Sequence, residues 1–395
     1  MATVDIAHFC SMDVLLGDPP NSIAPSRFSY YAGDEILGSV SIRSKIDVRF
    51  DSLDIYFIGV GEESTTLLNE KTTHRFQTIK FRIDDTDLPP GNIFQKNYEY
   101  RFKFAFDGPA RLSGVSCNHF IRNVLVREAH LQPPPSFGDS TIAGFDGRLH
   151  NDFAPSACKI IYKIQAKLSR KSLASAEPQI MLQRSLNIRV KPTGQALIPS
   201  SMYSGSQYHP QQTIDIRNRG SNLTLGRLVA TIIAPELFYL PSHETNGSMR
   251  QTVRISLRYD KIGRHEDLPR VHSLRGRLIA TTFFTNTFHC DIPAKKKDIF
   301  GQATNFSDSI LTRFSHPITS LKWTSEQSAY SSSTLLVPVN ISHQYIIPTF
   351  HSCHISRVYT LELRLKVHGA PSVEIAAPIH ILPCENQPIL PPYSE

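Results

Sequence analysis

No continuous apolar run in this chain reaches the roughly 20 residues that a membrane-spanning helix needs, because charge or proline interrupts the longest windows. Residues 1–16 contain Asp5 and Asp13 and lack a basic flank followed by an apolar stretch, so they do not read as a signal peptide. A soluble, cytoplasmic chain is the expectation. The six cysteines, Cys10, Cys117, Cys158, Cys290, Cys353 and Cys384, include no CxxC pair and no tight spacing. Without an export signal this argues against a disulfide framework and for reduced, mostly buried thiols. The sequons at Asn222, Asn246, Asn305 and Asn340 carry little weight without a secretion route. A secreted β-sandwich that uses them is the rival they would support.

Signatures of enzymes are missing as well. The sequence has no phosphate-binding glycine loop, no GxSxG elbow and no HExxH. Gly59-Val60-Gly61 follows a strand pattern but lacks the rest of a dinucleotide fingerprint. Asp84-Asp85 and Glu62-Glu63 are neighbours in sequence, which suits solvated turns better than a catalytic pair. His351, Cys353 and His354, with His289 and Cys290, are of zinc-ligand type. Strand alternation, however, lets His351 and Cys353 share one face while His354 points to the other, so they read as a small buried thiol and partly exposed imidazoles. No catalysis, cofactor or metal is expected.

What the chain does have is length and alternation. Its 395 residues are 40 % hydrophobic and 19 % charged, enough for two or three globular units that need no staples. The net charge of +7 is spread out, with Lys295, Lys296 and Lys297 as the tight cluster. That is weak as a nucleic-acid signal and fits better with an anionic lipid surface or with acidic and phosphorylated tails.

Period-two patterning predicts strands throughout. Ile36, Gly38, Val40 and Ile42 alternate with Leu37, Ser39, Ser41 and Arg43, and Leu53, Ile55, Phe57 and Gly59 repeat the pattern. Tyr98, Tyr100, Phe102, Phe104 and Phe106 predict an aromatic inner face against Glu99, Arg101, Lys103 and Ala105. Further strands are predicted over 160–168, 186–190, 253–259 and 359–367, the last with Thr360, Glu362, Arg364 and Lys366 outward. Residues 223–238 fit either period, and 308–314 suggest one short capped helix. Turn-rich pieces such as Leu88-Pro89-Pro90-Gly91-Asn92 separate the strands, as in antiparallel sandwiches. Residues 191–212 read as a junction and 383–395 as a disordered tail. The expected domains are 1–192, 193–382 and a tail at 383–395.

The order of these pieces resembles the arrestin superfamily, and within it the α-arrestins, the arrestin-related trafficking adaptors of fungal type. The resemblance begins at Tyr31-Ala32-Gly33-Asp34-Glu35-Ile36-Leu37-Gly38 and continues through 53–59, Leu88-Pro89-Pro90-Gly91 and the aromatic strand. At Arg111-Leu112-Ser113-Gly114 the proline of the family's turn is absent. The match resumes at 160–168 and at 348–361, with a terminal strand at 373–381. The resemblance implies an all-β fold of two tandem arrestin-type antiparallel β-sandwich domains.

Leu390, Pro391, Pro392 and Tyr393 fit the ligand pattern of WW domains, in which prolines hold a polyproline II backbone and aromatic-lined pockets take a proline and the tyrosine. In α-arrestins this motif implies a WW-domain HECT-type ubiquitin ligase as partner, with cytosolic tails of transporters or receptors as cargo sent to endocytosis. Pro133-Pro134-Pro135-Ser136-Phe137 lacks the tyrosine, so the motif occurs once and no second site adds avidity. Ser172 and Ser175, beside Arg170 and Lys171, are candidate phosphorylation sites. The alternative reading is a retromer-like arrestin-fold coat or sorting subunit acting without a ligase.

Overall fold

The computed structural model describes residues 6–17, 29–65, 70–108, 111–112, 117–139, 152–171, 178–191, 198–203, 207–218, 223–233, 237–240, 249–262, 267–295, 305–326, 330–341 and 346–383. The chain divides into two compact units. The first comprises Met1–His119 and His130–Thr193, the second Phe120–Ala129 and Gly194–Glu395.

The first unit contains strands β1 (Cys10–Leu16), β2 (Ser29–Tyr31), β3 (Glu35–Ser44), β4 (Val48–Arg49), β5 (Ser52–Thr65), β6 (Glu70–Phe81), β7 (Ile93–Phe94), β8 (Glu99–Asp107), β9 (Cys158–Arg170) and β10 (Gln179–Lys191). One sheet has the order β1-β3-β8 and the other β2-β10-β9-β5-β6, with β4 and β7 as a short extra pair. Neighbours are antiparallel except β2, which runs parallel to β10.

Alternation explains the closure of this sandwich. Phe102, Phe104 and Phe106 of β8 are buried, and Phe106 lies 6.2 Å from Phe57 of β5, which stacks on Tyr162 of β9 at 5.7 Å. The Tyr162 hydroxyl, wholly enclosed, donates to the Pro134 carbonyl at 2.7 Å, which satisfies the one polar atom in the seam. The aromatic inner face is shorter than the sequence suggests. Tyr98 precedes β8 and is 57 % exposed, and Tyr100 is half-buried.

The turn into β3 is made by Gly33 at φ 96°, with the Tyr31 amide donating to Asp34 Oδ2 at 2.7 Å and the Asp34 amide to the Tyr31 carbonyl at 3.0 Å. At Gly38 a Cβ would stand 2.4 Å from the Phe104 ring and 2.5 Å from the Leu15 carbonyl oxygen.

The second unit takes all but the last residue of helix α1 (Val124–His130). Its strands are β11 (Gln211–Arg217), β12 (Thr224–Ile233), β13 (Phe238–Tyr239), β14 (Met249–Lys261), β15 (Val271–Phe284), β16 (Asn305–Pro317), β17 (Thr324–Glu326), β18 (Tyr330–Ile341), β19 (Phe350–His351), β20 (Ile355–Val367), β21 (Val373–Ile379) and β22 (Ile381–Leu382). One sheet runs β11-β12-β14-β18-β17. The other runs β16-β15-β20-β19, with β21 also paired to β20, and β13 and β22 form a parallel pair. The fold is thus all-β, built as tandem antiparallel sandwiches.

Several expectations change. Glu62 and Glu63 are not turn residues but lie in β5, with Glu63 buried. Residues 308–314 are not a helix but lie inside β16, paired along β15; Asp308, which resembles a helix cap in sequence, accepts a hydrogen bond from Thr281 Oγ1 at 2.7 Å. Thr360 is not outward but buried, because the first half of β20 is covered on both faces and alternation starts only near Glu362. Helix α1 was not foreseen. Val126 and Ala129 pack with Ile198, Tyr203, Phe283 and Val358, and Asn123 Oδ1 accepts from the Leu125 amide at 2.8 Å. Seven residues are too few to display a helical period. Within the ambiguous stretch 223–238, residues Thr224–Ile233 resolve as strand β12, laddered on both sides by β11 and β14.

Two stability predictions follow from this packing. Gly38→Ala should cost about 1–3 kcal/mol, since the obstructing Leu15 oxygen belongs to the backbone. Gly61→Ala, whose new Cβ would find its nearest neighbour at 3.9 Å, should be neutral or stabilising by about 0.5–1 kcal/mol. Urea denaturation distinguishes the two. The second concerns Glu63, buried in β5, whose carboxyl is pushed up to about 8 by desolvation. Folding therefore favours its neutral acid, and this contribution is full below the unfolded value of about 4.3 and is lost as pH rises through about 8. Glu63→Gln should stabilise the protein more at pH 8 than at pH 5; an equal effect at both would contradict the assignment.

Candidate partner-binding faces

The five-stranded sheet of the first unit turns one face to the core and presents a basic one on the other side. Leu53, Ile55 and Phe57 of β5 and Ile164, Ala166 and Leu168 of β9 are buried inward. Register then places Tyr56 between Lys80 of β6 and Gln165 of β9, and Lys163 and Lys167 on either side of Gln165. The ammonium groups of Lys80 and Lys167 lie 5.9 and 5.7 Å from the centre of the Tyr56 ring, within cation–π range.

On β10 the outward positions are Gln183, Ser185, Asn187, Arg189 and Lys191, paired to β9 or β2. Gln165 Nε2 donates to Ser185 Oγ at 3.0 Å, and Asn187 Nδ2 to Asp139 Oδ2 at 3.0 Å. Lys191 stands 5.4 Å over the Tyr31 ring.

The lysines are not electrostatically alike. Lys80 is held above its ordinary value chiefly by its hydrogen bond to Asp54, with an N–O separation of 2.6 Å. Lys191 is lowered to about 8, first by desolvation and then by Arg189, with Asp34 opposing. Lys80 is therefore held in its charged form, while the charge of Lys191 is easier to remove than that of Lys80. Planar or tetrahedral anions suit such a face, because ammonium donors form charge-assisted hydrogen bonds to carboxylate and phosphate oxygens.

The second unit has a comparable face on its β15–β20 sheet. Leu274, Leu278, Leu361, Leu363 and Leu365 point inward, and opposite them register aligns Arg275 with Arg364 and Arg277 with both Arg313 and Glu362. Arg277 pairs with Glu362, and Arg364 with Glu374 at 3.2 Å. Arg357 belongs elsewhere: it is 1 % exposed, donates to Thr282 Oγ1, and lies 5.6 Å over the Tyr359 ring. No sequence pattern marks Arg357 as buried, since it precedes the stretch in which alternation is visible.

Leu390, Pro391, Pro392 and Tyr393, and Ser172 and Ser175, lie outside the described residues. Pro133, Pro134, Pro135 and Phe137 are buried in the first unit, so this second proline run is closed to a WW groove by packing as well as by its missing tyrosine. Among the histidines weighed as ligands, His351 is buried and hydrogen-bonded to the Tyr203 hydroxyl at 2.9 Å. His354 Nδ1 lies 3.2 Å from the Thr285 carbonyl. Cys10, Cys117 and Cys158 are buried, Cys353 is half-buried and Cys290 exposed. Among the described residues no helix is long and apolar enough to cross a membrane.

No curated protein matches the chain. Residues 279–384, from within β15 to just past β22, match the family described as the Bul1 C terminus, and this stretch lies wholly in the second unit. That family is the arrestin-like carboxyl-terminal domain of a yeast arrestin-related trafficking adaptor, so the later part of the second unit is similar to an α-arrestin-type adaptor.

Proposed function

We propose that the chain is a non-enzymatic adaptor that links plasma-membrane transporter or receptor cargo to a WW-domain HECT-type ubiquitin ligase. The observation that carries the reading is the match of 279–384 to the Bul1 C terminus in a chain that also contains Leu390-Pro391-Pro392-Tyr393. The ligase supplies the chemistry. The adaptor supplies proximity, which by itself converts a bimolecular encounter into an effectively intramolecular one.

The cationic faces built on Lys80, Lys163 and Lys167 and on Arg275, Arg277 and Arg313 suit acidic or phosphorylated cytosolic tails, and peripheral contact with anionic lipid. The protein would act in the cytoplasm, recruited to plasma membrane or endosomes, and ubiquitinated cargo would then enter endocytosis. A phosphate group on Ser172 or Ser175 would add negative charge two to five residues after Arg170.

The intact protein should bind isolated WW domains of a HECT ligase in a calorimetric titration, and Tyr393→Ala should abolish that binding. If the intact protein does not bind, the ligase-linking role is lost and the coat-like reading leads. A paired substitution, Lys163→Glu with Lys167→Glu, should weaken capture of a phosphorylated acidic peptide by about tenfold, with each lost surface pairing worth up to about 1 kcal/mol. The loss should shrink as salt is raised and leave WW binding unchanged. Unaltered peptide capture would remove the first unit's basic face from the cargo role.

A further inference from the structure

Cys117 and His119 precede helix α1, His130 closes it, and all three residues belong to the first unit. Cys117 Sγ lies 3.8 Å from His119 Nδ1, 4.0 Å from His119 Nε2 and 3.9 Å from His130 Nδ1. Donor atoms from these residues all fall within 4.8 Å of one another. The two imidazole rings are 5.7 Å apart between centroids and tilted by 38°. Cys117 is 6 % exposed and His130 1 %, while His119 is half-buried.

This geometry can be set against what zinc requires. With Zn–S near 2.3 Å and Zn–N near 2.0–2.1 Å, a tetrahedral ion holds its sulfur and nitrogen ligands about 3.6 Å apart. The observed separations exceed that by only a few tenths of an ångström. A thiol can donate to one imidazole and accept from the other, but the convergence of one sulfur and two imidazoles on a common point is also the arrangement a tetrahedral ion needs. His119 presents both ring nitrogens almost equally to the sulfur, so a modest ring rotation selects either as ligand. Thiolate and imidazole are also the donors that zinc takes in structural sites, and their burial suits a site without solvent exchange.

We infer that Cys117, His119 and His130 supply three of the four donors of a structural zinc site. The Cys117-x-His119 spacing and the ten residues between His119 and His130 would tie the chain before α1 to the end of that helix. The ion would add to the packing of Val126 and Ala129 in holding a helix too short to be stable alone.

The purified full-length chain should retain one zinc per molecule after dialysis against metal-free buffer. Replacing it by cobalt should give the ligand-field bands of a tetrahedral ion together with thiolate-to-cobalt charge transfer. Cys117→Ser should lose charge-transfer intensity and weaken zinc binding by more than the about 100-fold that loss of an outer-shell partner can cost. His119→Ala, at a half-exposed position where far-UV circular dichroism should show an intact fold, should also weaken zinc. Cys290→Ser, at the exposed thiol, should not. A chain that retains no zinc and binds cobalt only octahedrally overturns the assignment, as does retention that neither Cys117→Ser nor His119→Ala alters.

Discussion

A β-sheet with one apolar face has to lay that face on another sheet, and the first unit does so through a continuous aromatic contact from Phe106 to Phe57 to Tyr162. Everything outside this seam takes its position from it. The inward turn of Phe57 forces Tyr56 outward, and the inward turn of Ile164 and Ala166 forces Lys163, Gln165 and Lys167 to the opposite side. The basic face is therefore a by-product of core packing: the period of two that buries the aromatics also aligns the lysines.

The seam also dictates how polar groups inside it are treated. Tyr162 keeps its hydroxyl bonded to Pro134, while burial raises its pKa well above the ordinary phenol value. That bond draws the proline run 133–135 into the core rather than leaving it as a ligand for other proteins. Glu63 sits in the same sheet and is held largely neutral by desolvation, a cost the fold carries at neutral pH. In the second unit the corresponding burden is Arg357, enclosed with Thr282 and Tyr359 as polar and aromatic partners.

For the proposed adaptor this division of labour is coherent. Rigid sheets carry charge on fixed registers, while a short proline-tyrosine motif needs no tertiary support, since its polyproline conformation is intrinsic to its residues. Neither part requires a catalytic centre. The Bul1 C-terminus match covers residues 279–384, the later part of the second unit; it includes β20 with Arg364 but not Arg275 and Arg277 of β15.

The sequence by itself determined the strands and the two-sandwich class, because alternation is a local property that any half-buried strand displays. It also contained the whole of the Leu390–Tyr393 motif, whose recognition depends on four consecutive side chains. Tertiary structure decided what local patterns cannot encode. Asp308 lies in a strand because β15 pairs with it; Thr360 is buried because a second layer covers its face; α1 is helical with its apolar side on Ile198, Tyr203 and Phe283. The gathering of Cys117, His119 and His130 belongs to the same group. Their spacing matches no familiar ligand pattern, and only the folding back of the chain through α1 brings one sulfur and two imidazoles together.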